Sequence, residues 1–465
     1  MIKPKVHFIG IGGIGTSALS RWFLSHGYDV SGSDVNPSKI TSDLHKQGVK
    51  VFIGHKAKNI THGLNLAIFS AAVPINNPER QEALKLSIPL KSYSEAVGDL
   101  TKQYKTLAVA GAHGKSTTTA LLSLILIKAG LNPTVIIGTK LKEFANSNFR
   151  NGKGDYLVLE ADEYNKSFLN YSPLAAIILN IDREHLDYYK NLTEIKNTFL
   201  KFIGNIQPNG ILVVNKDDKN LFSLKNKIQK IAKEHNLKVY WYSRQSHIFV
   251  DLRRVVKISG EHNISNALAT YTLANALKIK DKDIFSAIGS YHGAWRRMEY
   301  RGNFKIQDTK YKIQVYDDYA HHPTEVRATL AGIAQKSPKT AIICVFQPHQ
   351  AKRLAMLFND FVGAFDKADA LVLLPVYQVQ GRESYDNLSQ NINSKKLAEA
   401  IKKRIDSKLE IRNWKLRKVV YLPHLKQRQL RSVLLKLITH NSKLKTIIVM
   451  MGAGDIYKLT DKLIK

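Results

Sequence analysis

Residues 106–129 read TLAVAGAHGKSTTTALLSLILIKA: an apolar run, a glycine turn, then a helix-forming stretch. That order constrains the fold strongly, because a buried strand that feeds a helix across a tight turn is the building unit of parallel α/β sheets. The unit occurs earlier as well, where Val6–Ile9 runs into Gly10-x-Gly12-x-x-Gly15 and another helix-forming stretch. Between residues 5 and 100, KVHFIG, YDVSGSD, VKVFIG, LAIFSAAV and PLKSY alternate with helical segments. YLVLEAD, AAIILNID and GILVVNKDD follow the second glycine turn, and from about Met298 come KIQVYDDYA, TAIICVFQPH, ALVLLPVYQ, KVVYLPH and KTIIVMMGAGD. The pattern predicts an α/β protein of three domains with mostly parallel sheets, spanning 1–100, 101–297 and 298–465.

A length of 465 residues agrees with several cores, since single cores stop growing well below that size. The lone cysteine, Cys344, forms no intramolecular disulfide, which fits a reducing compartment. The short, glycine-broken N-terminal run reads as a first strand and not as a signal peptide. LLSLILI at 121–127 is too short to span a bilayer. A cytoplasmic protein with no membrane insertion is therefore expected. The formal charge of +32 points towards anionic partners. Ten Lys/Arg and no acid fall between Ile411 and Gly454, but no zinc-finger spacing or RNP-type aromatic motif accompanies them, and no nucleic-acid partner is expected.

Both glycine turns suit phosphate. Backbone N–H groups at a helix N-terminus face an anion, and the helix dipole adds to that field. In GAHGKSTTT, Lys115 can reach β/γ-phosphates and the Ser116 hydroxyl can ligate Mg²⁺. The usual Walker spacing places a glycine where this chain has Val109, so the loop is tighter. Glu160, Asp162 and Glu163 follow one apolar run, and Asn180, His185 and Asp187 follow the next; they could serve a magnesium site or simply cap helices and turns. Read alone, the first turn, with Asp34 ending the second strand-like run, asks for NAD; read with GAHGKSTTT it becomes a diphosphate cradle that suits a UDP-sugar better, because its glycines specify a diphosphate and not a nicotinamide.

Taken in order, GIGGIGTSALS, GAHGKSTTT, EADE, NIDREHLDYY, GEHNISNALA, RRMEYRG, DDYAHHPTE, FQPHQAKR and MGAGDI resemble the Mur ligase family over nearly the whole chain. The resemblance implies a Rossmann-like N-terminal domain for the UDP-sugar, a central P-loop-type ATPase domain and a Rossmann-like C-terminal domain. It implies ATP and Mg²⁺ as cofactors, UDP-N-acetylmuramate and L-alanine as substrates, and amide formation through an acyl phosphate in peptidoglycan precursor synthesis. Carried over by position, the ATP set is Gly111, His113, Gly114, Lys115, Ser116, Thr117, Asn263, Asn266, Arg297, Asp318 and Tyr319. Ser116 and Glu160 would bind one Mg²⁺, and His185 a second. Gly10, Gly12, Gly13, Gly15, Asp34, Ser70 and His321 would face the UDP-sugar. Lys115, His185, His349 and Arg353 would be catalytic.

Two departures stand out. Ala112 and Ser116 replace common threonines, with the hydroxyl kept at 116. Gln350 stands where alanine-adding members commonly have arginine, which removes one cation from the expected carboxylate contact. Addition of another amino acid or a peptide is the nearest rival reading. A nicotinamide oxidoreductase or a nucleic-acid-stimulated ATPase would leave most of these motifs without a use.

Overall fold

The computed structural model describes residues 3–306, 312–378, 392–407, 415–439 and 445–464, so part of the basic run 411–454 lies outside the described residues. The chain divides into two compact units. The first comprises Met1–Arg183, Asn191–Val256 and Ser265–Tyr291; the second comprises Glu184–Lys190, Lys257–Ile264 and His292–Lys465.

Two sheets belong to the first unit. Strands β1 (Lys5–Ile9), β2 (Asp29–Asp34), β3 (Lys50–Ile53), β4 (Leu66–Phe69) and β5 (Leu90–Ser92) form a sheet in the order β3-β2-β1-β4-β5. All its pairings are parallel. The order reverses between β1 and β4, and a crevice for ligand opens at the carboxyl ends of strands at such a point. The second sheet contains β6 (Lys105–Ala110), β7 (Thr134–Leu141), β8 (Ser147–Arg150), β9 (Tyr156–Ala161), β10 (Ala175–Ile178), β11 (Ile211–Asn215) and β12 (Lys238–Tyr242). Its order is β12-β11-β10-β6-β9-β7-β8, and β8 is the antiparallel member.

The second unit holds β13 (Glu299–Lys305), β14 (Lys312–Asp318), β15 (Thr340–Phe346), β16 (Ala370–Leu373), β17 (Lys418–Tyr421) and β18 (Lys445–Met451), in the order β13-β14-β18-β15-β16-β17. Only the β13–β14 pairing is antiparallel among the described residues. Successive residues of its central strands feed opposite layers. Ile342, Cys344, Phe346, Leu371 and Leu373 pack into one buried core, while Ile343, Val345, Ala370 and Val372 pack into the other. A strand covered on both faces needs apolar side chains at every position, which is why these segments read as continuous apolar runs.

Four strands fall outside the sequence expectation: β7, β8, β12 and β13. The last three sit at sheet edges, where one flank faces no partner strand among the described residues; SNFR and EYRGNFK are largely polar, and KVYWY, though aromatic, is buried only at its last residue. β7 carries Gly138 in its interior, a residue that lowers any strand signal.

A buried polar cluster ties the first sheet together. Glu79 is fully buried, and its carboxylate accepts from the Ser33 hydroxyl, from Asn59 Nδ2 at 2.5 Å and from the Lys56 backbone N–H at 3.3 Å. His55 Nδ1 lies 3.1 Å from Glu79 Oε2, and His7 Nε2 lies 3.8 Å from it. The cluster joins β1, β2, the 55–59 segment and the helix Pro78–Lys85. Burial opposes the Glu79 charge, yet the hydrogen bonds from His55, His7, Ser33 and Asn59 hold its carboxyl well below the ordinary range.

Candidate active site

The first glycine loop is shaped chiefly by what its missing side chains admit. Gly10 has φ +83°, and its N–H and that of Ile11 both donate to the Ser33 carbonyl at 2.9 Å. The Gly12 N–H donates to Asp34 Oδ2 at 2.8 Å, and a Cβ on Gly12 would lie 2.8 Å from that same oxygen. Asp34 therefore braces the loop that precedes the helix Ile14–Ser25, whose N-cap is Gly13. Thr16 Oγ1 closes the turn by donating to the Gly10 carbonyl at 2.7 Å. Ser70 continues the β4 side of the crevice, its N–H donating to the Ile9 carbonyl at 2.9 Å. A Cβ on Gly15 would meet Tyr93 Cζ at 2.8 Å, so this glycine admits an aromatic ring that the sequence did not announce. Burial and the Glu160 and Asp162 carboxylates push the Tyr93 phenol up.

The second loop is held from outside. Asn180, just past β10, accepts from the His113 N–H at 2.8 Å and donates to the His113 carbonyl at 2.9 Å. The Asn180 carbonyl also accepts from the Ala112 N–H at 3.2 Å, and His113 Nε2 lies 2.9 Å from Asp182 Oδ2. Asn180 is thus a loop brace, where the sequence placed it among magnesium candidates. Gly114 caps the helix Lys115–Lys128 at φ +90°, and a Cβ there would lie 2.7 Å from Asn266 Oδ1. Gly114→Ala is accordingly expected to cost about 1–3 kcal/mol of strain. A thermal-unfolding midpoint equal to wild type would show that the loop relaxes freely.

Lys115 Nζ donates to the Gly111 carbonyl at 2.7 Å and to Glu163 Oε2 at 2.8 Å. Burial alone would favour the neutral amine, but Glu163 and Asp162 raise its pKa above the ordinary lysine value, so the cation is secure at neutral pH. Ser116 and Thr117 follow it in the helix's first turn, both buried. Glu160 is aimed by the strand missed in the sequence: the Gly138 N–H of β7 donates to Glu160 Oε1 at 2.6 Å. Ser116 and Glu160 together offer a hydroxyl and a carboxylate, hard oxygen donors of the kind Mg²⁺ takes.

The second unit assembles a different set. Glu184, absent from the expected residues, is 4% exposed and accepts from Arg353 Nη2 at 3.1 Å. Burial opposes its charge, but Arg353 and the nearby histidines His321, His322 and His185 hold its pKa well below the usual range. Arg353 Nη1 lies 3.2 Å from His349 Nδ1, and the His349 ring stacks on Tyr377 with centroids 5.5 Å apart. His321, expected at the UDP-sugar, is placed here, with Nδ1 3.2 Å from Glu325 Oε2 and Nε2 3.8 Å from Glu184 Oε1. Burial lowers the His321 pKa to about 4, which leaves the imidazole neutral at physiological pH. His185 sits beside Glu184 at φ +55° and anchors the following turn through its carbonyl, which accepts from the Tyr188 N–H at 2.8 Å.

Asp318 ends β14 and accepts from the Met298 and Ala320 N–H groups at 2.9 and 2.8 Å; burial raises its pKa to about 6. Arg297 lies over the Tyr319 ring at 5.1 Å. Arg296, unflagged by the sequence, donates to the carbonyls of Gly452 and Gly454 and so fixes the MGAGD loop. Asn263 Nδ2 donates to the Ser259 carbonyl at 2.6 Å, near the start of the helix Glu261–Ala276 that carries Asn266 three residues on. Gln350 caps the helix Ala351–Met356 at φ +68°, a strained backbone of the kind that gathers at functional sites.

Three family profiles match in tandem: Mur ligase family, catalytic domain, over residues 5–105; Mur ligase middle domain over 109–274; and Mur ligase, glutamate ligase domain, over 296–454. Among proteins similar to this chain is the UDP-N-acetylmuramate–L-alanine ligase of Clostridium botulinum strain Loch Maree, 38% identical across 98% of this chain and 97% of its own. The crystal structure of the UDP-N-acetylmuramate–alanine ligase of Thermotoga maritima is similar at a TM-score of 0.74 and 26% identity, covering 99% of this chain and 98% of that one. A murein peptide ligase from Psychrobacter arcticus shares the fold at a TM-score of 0.65 and 20% identity, covering 99% and 98%.

Proposed function

The chain belongs to the Mur ligase family, and from that premise we propose that it joins L-alanine to the lactyl carboxylate of UDP-N-acetylmuramate with hydrolysis of ATP to ADP and phosphate. It is an ATP-dependent ligase of peptidoglycan precursor synthesis. The observation that carries the reading is the phosphate loop: a left-handed Gly114 at a helix N-terminus, with a charged Lys115 folded along it. The reaction belongs in the cytoplasm, where ATP and nucleotide sugars are made. Among the described residues no helix is long and apolar enough to cross a membrane.

In the first step a lactyl carboxylate oxygen attacks the γ-phosphorus, the bond to the bridging β,γ-oxygen breaks, and ADP leaves. Phosphoryl transfer asks mainly for positioning and charge neutralisation. Backbone N–H groups of the loop and Lys115 supply both, with Lys115 exchanging Glu163 for a phosphate oxygen. In the second step the neutral amine of alanine attacks the acyl carbon, and phosphate departs from the tetrahedral intermediate. Arg353 supplies the cation for the amino-acid carboxylate, and His349 is the candidate acceptor of the amine proton. Ser116 and Glu160 would hold one Mg²⁺, which screens phosphate charge when bound. His185 offers a nitrogen donor, which Mg²⁺ takes less readily than oxygen, so its assignment to a second ion rests on the resemblance.

Phosphate release measured with ATP, Mg²⁺ and UDP-N-acetylmuramate across a panel of amino acids and one tripeptide tests the reading. Release should depend on L-alanine above all others and should stop on addition of EDTA. Dependence on a different amino acid would move the specificity and implicate Gln350. Release indifferent to every amine would remove the ligase function.

A further inference from the structure

Glu184 holds a buried charge beside Arg353, the cation assigned to the amino-acid carboxylate, with His321, His322 and His185 also near it. Its Oε2 takes Arg353 Nη2 at 3.1 Å, and its Oε1 faces His321 Nε2 at 3.8 Å. Arg353 is fixed on its other side as well, with Nη1 at 3.2 Å from His349 Nδ1 and 3.3 Å from the His349 carbonyl. His349 is itself stacked nearly flat on Tyr377, with 11° between the rings. Glu184 and His349 therefore hold the one guanidinium from two sides, and His349 is in turn backed by Tyr377.

A simple ion-pair staple would account for the short distance, but other features favour a role in orientation. A buried carboxylate is costly to desolvate, and removal of one partner strands the other. The segment PHQAKR has Gln350 where a second guanidinium is expected, so Arg353 alone supplies a planar fork there, beside the point charge of Lys352. A guanidinium carries five N–H donors, and its contacts to Glu184 and His349 engage three, which leaves two for a planar carboxylate.

We propose that Glu184 is a positioning residue for amino-acid recognition: by fixing the plane of Arg353 it sets how the α-carboxylate of the incoming amino acid is held. This rests on the reading that the chain ligates an amino acid to UDP-N-acetylmuramate. Glu184 touches no reacting atom, and no bond changes at it.

Steady-state kinetics on the full chain, with all three substrates varied, tests the proposal. In Glu184→Gln the KM for L-alanine should rise about tenfold or more, while the KM values for ATP and UDP-N-acetylmuramate stay within about twofold of wild type. Glu184→Asp, which keeps the charge at shorter reach, should show a smaller rise. Because Glu184 acts through Arg353, the double variant Glu184→Gln/Arg353→Lys should match Arg353→Lys alone in its KM for L-alanine. A Glu184→Gln enzyme with an unchanged KM for L-alanine overturns the proposal, and so do multiplicative effects in the double variant. Equal rises in all three KM values would show a merely structural staple and overturn it too. Should Glu184→Gln fail to fold by circular dichroism, Glu184→Asp alone decides: no rise in its KM for L-alanine overturns the proposal. A wild-type enzyme without alanine-dependent phosphate release would instead remove the ligase reading, a distinguishable result.

Discussion

Lys115→Ala is expected to lower turnover by about 10²–10³-fold, with the fold intact. The side chain is 14% exposed and sits in the phosphate loop, where a fixed cation meets charge that grows on the transferring phosphoryl group. Its protonation is not at issue: the neighbouring carboxylates keep the amine charged against the pull of burial. Lys115→Arg keeps the charge but misplaces it, because the guanidinium is planar and longer, so it should recover only part of the rate. The single variant also leaves Glu163 buried without its strongest cation, and that loss should lower the unfolding midpoint. Quenched-flow measurement of the first turnover, in which ADP formation precedes any later step, separates chemistry from product release. Near-normal ADP formation by Lys115→Ala would dismiss the assignment of this loop to ATP.

The second large effect concerns stability. Glu79→Ala leaves the buried donors of Ser33 and Asn59, and the Lys56 backbone N–H, without their shared acceptor, which should destabilise the first sheet by about 3–5 kcal/mol. Hydrogen exchange of peptides from residues 5–100 should register this loss first, since β1 and β2 both border the cluster. A pH dependence follows. The Glu79 carboxyl is depressed in the folded chain, so its contribution is fully present above the unfolded value of about 4.3. That contribution is lost as pH falls below this value towards the folded pKa, because the unfolded chain then binds the proton more readily. Glu79→Gln, which cannot titrate, should flatten the acid limb of the protection curve. Protection in 5–100 that is unchanged in Glu79→Ala would show that His7, Ser33, His55 and Asn59 satisfy one another without it.

The legible part of the fold follows from burial on two faces. TAIICVF and KTIIVMM read as strands because their neighbours cover both sides of them, and the structure seats them at the centre of the third sheet. EYRGNFK and SNFR did not, since an edge strand can keep polar residues wherever its side chains meet water. The site divides along a similar line. Lys115, Ser116 and the glycines were visible because their chemistry needs fixed local spacing within one turn. Asn180, Glu184, Tyr93 and Gly138 were not singled out for their roles, because each acts across the chain. Asn180 lies 67 residues from the loop it braces, and Glu184 lies 169 residues from Arg353. Glu184 was within view in REHLD, beside His185, but nothing local marks an acid whose partner comes from another strand end.

By itself the sequence determined the βα units, the two phosphate-suited turns and the order of motifs that marks the family, all of which depend on residues close together in the chain. Only the tertiary structure decided which carboxylate meets which cation. Lys115 takes Glu163 because β6 pairs with β9 and their ends fall side by side, and Arg353 takes Glu184 although 169 residues of chain separate them. Gly12 likewise shows its role only once β2 lies beside β1 and Asp34 reaches the loop amide. Local steric rules select the elements, whereas a buried ion pair depends on distances and desolvation that exist only after the elements have packed.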